Sequence, residues 1–200
     1  MKFIYILCFI TLILILTYKN VVYNYNYIQK TSKINNENYF VLNNNNSQIS
    51  VNQLSKIDIN IKKLLKNLST DIFDSDKIKR LVNNYEDTIL VELDPKSKYT
   101  AYSLNKGEKL KITLRDTNYK LINDLNTTMY IMCHELSHLM TEEEQHPPIF
   151  WENMKGLLKN AEDIGIIKNI DYNKYPVKYG SNMINKNPYF MKPGKYPYIN

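Results

Sequence analysis

Residues 121–140 read LINDLNTTMYIMCHELSHLM, and this stretch decides the fold. Its apolar positions recur at steps of three and four, the spacing that brings side chains onto one face of a helix. Those positions are Leu121, Leu125, Met129, Met132, Leu136 and Leu139. Because no proline or glycine interrupts residues 120–145, the pattern predicts one buried helix over residues 121–140.

The predicted helix carries His134 and His138, with Glu135 between them, in the pattern His-Glu-x-x-His. Positions four residues apart lie on the same helix face, so both imidazoles can reach one metal ion. A glutamate beside them can take a proton from a water molecule that the ion binds. The motif arises by chance in roughly one chain in a hundred of this length, so we predict a zinc hydrolase site with Glu135 as general base. The alternative is an ordinary helix with two surface histidines.

A catalytic zinc ion takes three protein ligands and keeps a fourth position open for water. The third histidine of the chain, His146, follows the helix and directly precedes Pro147. Proline ends one helix and can begin the next, so a turn here can bring His146 back toward the ion. We therefore predict Zn²⁺ bound by His134, His138 and His146. Glu152 is the alternative third ligand, because zinc sites of this class also use a downstream glutamate.

Strands are predicted ahead of the metal-binding helix. Residues 109–115 alternate polar and apolar side chains, the period of a half-buried strand, and residues 105–108 form a turn. Residues 99–104 and 109–115 are therefore a predicted hairpin, and residues 89–93 are a further apolar strand. An edge strand beside the active helix can bind an extended peptide by strand addition. We expect residues 109–115 to be that edge strand, with an ordinary internal strand as the alternative.

Three more helices are predicted from apolar spacing, over residues 51–68, 77–85 and 149–168. Phe150 and Trp151 begin the last of these, and we expect them to pack it against the metal-binding helix. The predicted fold class is α+β. It is a small zincin-like, minimal metallopeptidase domain, with a short antiparallel sheet packed on the helix that carries the motif, plus an N-terminal membrane helix.

The N-terminal segment is almost wholly apolar over residues 3–17, with Lys2 before it and Lys19 after it. A membrane span needs about 20 residues, and residues at the interface can extend a slightly short one. No small-x-small cleavage site follows, which favours a retained single-pass anchor over a cleaved signal peptide. The predicted domains are a membrane anchor over residues 1–19, an Asn/Tyr-rich linker over residues 20–50 and one zinc metallopeptidase-like domain over residues 51–200.

The net charge of +6 does not by itself favour a nucleic-acid partner. All but two of the 26 basic residues are lysines, the exceptions being Arg80 and Arg115, and the excess positive charge lies toward both ends of the chain. A nucleic-acid footprint clusters on one face or motif. Nucleic-acid binding is therefore an alternative that the sequence does not favour. The two cysteines, Cys8 and Cys133, predict no disulfide, and Cys133 is expected to fill the core.

Several segments resemble the WLM metallopeptidases. That family shows His-Glu-Leu-x-His, then a short spacer, a third histidine and Phe-Trp at the start of the next helix. The matching residues here are His134-Glu-Leu-Ser-His138 and His146-Pro-Pro-Ile-Phe-Trp. Residues 99–115 resemble the hairpin that precedes the active helix in the family. The chain is similar in particular to uncharacterised WLM-like proteins of large DNA viruses, over about residues 85–190. The resemblance implies a zinc peptidase related to the SprT/Spartan proteases, which cut proteins crosslinked to DNA.

Three functions follow from these observations. The first is a membrane-anchored zinc metallopeptidase that acts on a protein or peptide substrate, at a host or virion membrane if the chain is viral. The second is a protease for DNA–protein crosslinks, and the third is a non-catalytic membrane or virion protein stabilised by zinc. In the C-terminal stretch, Tyr179 is either a donor to the oxyanion or part of a segment that packs on the domain surface.

Overall fold

The computed structural model describes residues 26–192 together with Tyr5, Phe9, Thr11 and Tyr196. Within these residues there are four α-helices: α1 (Ser47–Lys66), α2 (Ser75–Glu86), α3 (Leu125–Met140) and α4 (Pro148–Asp163). The same part of the chain forms seven strands: β1 (Tyr27–Thr31), β2 (Asn38–Leu42), β3 (Ile89–Leu93), β4 (Ala101–Leu104), β5 (Lys109–Thr113), β6 (Val177–Tyr179) and β7 (Asn182–Ile184). The mixed α+β class predicted from the sequence is confirmed.

Five of the strands form one sheet in the order β1-β2-β3-β5-β4. The β1–β2 and β4–β5 pairs are antiparallel, whereas β2–β3 and β3–β5 are parallel. The predicted antiparallel sheet is therefore wrong, and the sheet is mixed. The reason is that α1 and α2 lie between β2 and β3 in the chain, and a helical crossover returns the chain parallel to the strand it left.

The prediction that residues 109–115 form the edge strand is also wrong. The predicted hairpin is present, since β4 pairs with β5 from Ala101↔Ile112 to Leu104↔Lys109. However, β3 occupies the other side of β5, so β5 is internal. Among the described strands β4 pairs with β5 alone and forms the edge of the sheet beside α3, whereas β1 forms the other edge. Alternating polarity identifies a strand but does not show which neighbours it pairs with.

The predicted linker over residues 20–50 is wrong from residue 27 onward. This part of the chain contains β1, β2 and the first turn of α1, so the domain begins well before residue 51. Tyr39 and Val41 are buried in the core, and the Tyr39 hydroxyl donates to the Asp58 carboxylate over 2.8 Å. The many asparagines nearby belong to exposed turns and conceal these alternating buried positions.

The sheet packs one face against the helices. Helix α1 lies on β1, β2 and β3, and α3 packs against β4 and against the other three helices. This face buries Val41, Leu90, Leu110 and Ile112. The opposite face presents Tyr27, Phe40, Lys109 and Lys111, which together line an open cavity of about 260 Å³. The sheet therefore has one apolar face in the core and one face that mixes aromatic rings with ammonium groups.

A buried ion pair joins the centre of the sheet to α1. The Arg115 guanidinium donates to the Glu92 carboxylate over 2.7 Å, and both side chains are almost fully buried. The Glu92 carboxylate also accepts from the Leu42 backbone N–H over 2.9 Å, and Arg115 donates to the Ser50 hydroxyl over 2.8 Å. Buried charges persist only where they are paired and hydrogen-bonded in this way.

The predicted membrane anchor over residues 1–19 lies outside the described residues, apart from Tyr5, Phe9 and Thr11. Residues 20–25 of the predicted linker lie outside them as well. Among the helices that the structure describes, none combines the length and the apolar character that crossing a membrane requires.

Candidate metal centre

Helix α3 positions the motif. Asp124 caps its first turn by accepting a hydrogen bond from the Thr127 backbone N–H over 2.9 Å, so the helix begins at Leu125 and not at the predicted Leu121. Leu121 instead forms an isolated bridge with Arg115. Most of α3 is buried, Glu135 and Ser137 included. The helix is thus fixed on several sides, which holds the motif's side chains in one orientation.

The third histidine returns to α3 by a tight turn. Gln145 adopts the left-handed backbone region with φ of 66°, and α4 begins three residues later at Pro148. This reversal brings the Nε2 atoms of His146 and His134 to 3.1 Å from each other. One ring nitrogen from each of His134, His138 and His146 lies within 4.8 Å of the others. Within the described chain, these three side chains form a group that can hold one metal ion.

The donor set fits a zinc-type ion. Zinc–nitrogen bonds are about 2.0–2.1 Å long, so tetrahedral ligand nitrogens lie about 3.3 Å apart, close to the observed His134–His146 separation. Burial, helped by the neighbouring histidines, holds the pKa of His134 well below its usual value. Burial also lowers the pKa of His138 to about 4 and depresses the pKa of His146. All three rings are therefore neutral near pH 7, the form that binds metal.

Glu135 lies between α3 and the edge strand β4. Burial raises the pKa of its carboxyl to about 8, and a backbone hydrogen bond from Ser103 opposes that rise. A cation held by the three histidines would favour the charged carboxylate. A carboxyl group whose pKa can be tuned across neutrality suits proton transfer at physiological pH.

The aromatic rings of Phe150 and Trp151 pack against the histidines of the site. The Phe150 ring centroid lies 4.5–4.9 Å from those of His134, His138 and His146. Trp151 stacks on His146 at 5.5 Å with an interplanar angle of 26°. The sequence predicted that these two residues pack α4 against α3, and it missed their contact with the histidines. The available signal was their position in the first turn of the helix that follows His146.

The loop that carries His146, residues 141–147, is tied to three elements. The Glu142 carboxylate pairs with Arg80 of α2, and Lys106 donates to the Glu142 carbonyl. Arg80 also donates to the Met140 carbonyl over 3.1 Å. From α4, the Asn153 amide donates to the Thr141 hydroxyl over 3.0 Å. Side chains from α2, from the turn between β4 and β5 and from α4 therefore fix the position of the loop.

Two other residues considered from the sequence lie elsewhere. Glu152 is exposed and does not belong to the histidine group. Tyr179 is buried, and its hydroxyl is bonded to the Thr128 hydroxyl over 2.7 Å and the Thr113 carbonyl over 3.1 Å. The suggestion that Tyr179 serves the oxyanion is therefore wrong, because its hydroxyl is already bound between α3 and β5. Cys133 is a buried free cysteine, as predicted.

A groove passes the histidines and opens into a cavity on each side. One cavity has a volume of about 250 Å³, and the other about 380 Å³. Both are lined by His134, Glu135 and Ala101 of the edge strand. Ala101 and Ser103 pair with the buried residues Ile112 and Leu110, so their side chains face the helices and the groove. The groove is thus bounded by β4 on one side and by α3 on the other.

Comparisons with known proteins give three results. A family model for the WLM domain matches residues 41–190. Uncharacterized protein R325 of Acanthamoeba polyphaga mimivirus is 32% identical over 152 residues, which cover 74% of this chain and 77% of that protein. The crystal structure of Wss1 from Saccharomyces cerevisiae has a TM-score of 0.48 at 21% identity, covering 62% of this chain and 86% of that one. Wss1 from S. pombe has a TM-score of 0.46 at 23% identity, covering 61% and 88%.

Proposed function

Because the chain belongs to the WLM domain family, we propose that it is a zinc-dependent peptidase that hydrolyses peptide bonds in protein substrates. The observation that carries the proposal is the convergence of His134, His138 and His146 beside Glu135, inside a groove. When bound by the three imidazoles, Zn²⁺ supplies a Lewis acid and lowers the pKa of a water molecule to about 7.

The chain's own residues have separate roles in this proposal. Glu135 takes a proton from the attacking water and passes it to the leaving amine nitrogen. Strand β4 binds the substrate backbone in an extended conformation, because an edge strand offers backbone groups for strand addition. Phe150 and Trp151 exclude water from one side of the histidines and hold the rings in place.

The test of catalysis is Glu135→Gln in the full chain, loaded with zinc and given an unfolded protein as substrate. We expect hydrolysis to fall at least about 100-fold, the usual contribution of general acid–base catalysis, while bound zinc stays at one per chain. The matched control is Glu152→Gln, an exposed glutamate on α4, which should retain the activity. Undiminished hydrolysis by Glu135→Gln would remove the proposed role. Zinc binding without hydrolysis by the unsubstituted chain would favour the non-catalytic, zinc-stabilised alternative.

A second candidate is a peptidase for proteins attached to nucleic acid. It is favoured by the open face of the sheet, where the Lys111 ammonium lies 6.0 Å from the Tyr27 ring centroid and 5.8 Å from that of Tyr102. Aromatic rings stack on bases and lysines neutralise phosphates. We expect Lys109→Glu with Lys111→Glu to abolish salt-sensitive retention on single-stranded DNA, and Lys66→Glu, an exposed lysine on α1, to leave it unchanged. No retention of the unsubstituted chain would exclude this candidate.

We also propose that residues 1–19 anchor the protein in a membrane, on the ground of their apolar composition. The full chain should then float with lipid vesicles and resist extraction at alkaline pH. Ile10→Arg places a charge in the middle of the segment, which is costly in a bilayer, and should weaken flotation. Equal flotation of both proteins would exclude anchoring by this segment.

A further inference from the structure

The two cavities of the groove differ in chemistry. The smaller one, which we call the apolar pocket, is lined by Tyr130, Ile131, Trp151, Met183 and Ile184 beside His134 and Glu135, and also by the polar residues Thr100, Asn185 and Lys186. The larger one, which we call the charged cavity, is lined by Lys106, Glu143, Glu144 and Gln145, and also by Tyr99, Tyr102 and Ser103. A peptide that crosses the histidines along β4 therefore meets mainly aromatic and aliphatic side chains on one side, and on the other side three charged groups among tyrosines.

The outer wall of the apolar pocket comes from the C-terminal hairpin, β6 and β7, and from the residues that follow it. Three hydrogen bonds hold this wall. The Asn182 amide donates to the Thr100 hydroxyl over 2.8 Å, and the Tyr130 hydroxyl donates to the Lys186 carbonyl over 2.6 Å. The Asn187 amide donates to the Ile170 carbonyl over 2.8 Å. The wall is thus fixed to the residue that precedes β4, to α3 and to the segment after α4.

The size of the pocket defines what it can take. An apolar cavity of about 150 Å³ is large enough to hold benzene, and this pocket measures about 250 Å³. It is open toward Glu135, so a side chain can enter from a peptide bound in the groove. An aromatic ring or a branched aliphatic side chain fits, whereas alanine would leave the pocket unfilled.

We propose that the apolar pocket selects a bulky apolar residue of the substrate, always on the same side of the cleaved bond. The inference rests on the proposed peptidase function and names the class of substrate for that same site. The opposite flank selects apolar side chains less strongly, because Glu143, Glu144 and Lys106 stand there beside the tyrosines, and their charges would lose hydration without gaining a partner. Replacing the bulky residue by alanine weakens binding and cleavage about 10- to 100-fold.

Trp151 permits a test of binding that does not depend on hydrolysis. It is the single tryptophan of the chain, it lines the pocket and it is 5% exposed.

The protein for this test is the full-length Glu135→Gln variant with zinc, which holds a peptide uncleaved. We titrate it with a peptide that contains one phenylalanine, and with the same peptide containing alanine there. The phenylalanine peptide should change the Trp151 fluorescence in a saturable way, with at least about tenfold tighter binding. Equal affinities, or no change with either peptide, would overturn the inference.

The companion experiment maps the bonds that the zinc-loaded full chain cleaves in an unfolded protein, by mass spectrometry. We expect bulky apolar residues at one flanking position and a weaker apolar preference at the other. Met183→Asp changes an exposed pocket residue, and Ile184→Asp changes a half-buried one; both should abolish the preference. The matched control is Lys178→Asp, an exposed position on the same hairpin outside the pocket, which should keep it.

The outcomes separate the two proposals. Cleavage without a fixed apolar flank, or a preference that Met183→Asp leaves intact, would overturn the inference and leave the peptidase function standing. Absence of cleavage by the unsubstituted protein would overturn the peptidase function, and the Trp151 titration would then decide alone whether the pocket binds apolar side chains.

Discussion

At the scale of single residues, His146 differs from the other two histidines in how it is held. His134 and His138 belong to a buried helix, whereas His146 follows a left-handed residue in a loop and is partly buried. Its ring contacts Phe150, the stacked Trp151 ring and the other two histidines. The candidate metal centre therefore combines two histidines placed by helix geometry and one placed by a turn.

Replacing His146 tests the ligand set. We expect His146→Ala to lower bound zinc from one ion per chain to a weak, easily removed fraction, because two imidazoles alone form an incomplete site. The measurement is zinc content after dialysis against a mild chelator. Glu152→Ala should keep its zinc, since the carboxylate is exposed and apart from the histidines. Full zinc content in His146→Ala would show that another group completes the site.

The Asp58 carboxyl makes the free energy of unfolding depend on pH. Burial alone would raise the pKa of its carboxyl, but hydrogen bonds from Lys62, Tyr39 and Tyr85 lower it below the ordinary value. A carboxyl with a depressed folded-state pKa stabilises the protein fully above its unfolded pKa of about 3.9. That stabilisation is lost as the pH falls through the folded-state value. Urea unfolding should show a loss of stability below about pH 4, and the loss should be smaller in Asp58→Asn. Identical pH profiles would contradict this.

At the scale of elements, the loop 141–147 shows how α2 contributes to a site that it does not line. Arg80 of α2 binds both the Met140 carbonyl and the Glu142 carboxylate. This fixes the loop at the end where it leaves α3. The turn at Gln145 then determines where the His146 ring lies. The position of the third ligand thus depends on a helix that precedes it by more than fifty residues.

Arg80→Ala should weaken zinc binding without unfolding the chain. Removing a partner that orients a metal ligand commonly costs about 10- to 100-fold in affinity, and Arg80 orients the loop that carries His146. The measurement is competition for zinc with a chromophoric chelator. Lys79→Ala is the matched control, because Lys79 is exposed on the same helix. Equal affinities for the two variants would show that the loop holds its position without Arg80.

The elements also show what the sequence could predict. Strand β3 coincides with the predicted residues 89–93, and the helix with the motif was found because its apolar spacing is regular. Strands β1 and β2 were missed because asparagine-rich turns surround short runs such as Tyr39 to Val41. The edge position of β4 and the pocket residues Met183 and Ile184 could not be predicted, because both depend on contacts between segments distant in the chain.

At the scale of the whole molecule, the Arg115–Glu92 pair joins segments that are far apart in the chain. Its hydrogen bonds reach β2 through Leu42 and α1 through Ser50. Both charges are buried away from water, so each is stabilised by the opposite charge of its partner. The chain has two arginines, and this one stabilises the centre of the domain.

Arg115→Met should lower the free energy of unfolding by about 3–5 kcal/mol, because it leaves the Glu92 charge buried without a partner. The measurement is urea unfolding with a chelator present, so that metal binding does not contribute. Arg80→Met is the comparison, since its pair with Glu142 is largely exposed to solvent and should contribute about 1 kcal/mol or less. Adding Glu92→Leu to Arg115→Met should restore part of the loss; no recovery would contradict the explanation.

The hairpin that forms the outer wall of the apolar pocket follows the last histidine by some thirty residues, so this wall comes from a different segment of the chain than the histidines and Glu135. A change confined to the hairpin can therefore alter the proposed substrate preference without changing the His-Glu-x-x-His helix. For the same reason, the preference of the protein should be transferable: grafting another hairpin between Val177 and Asn187 would re-target the cut while the metal centre stays as it is.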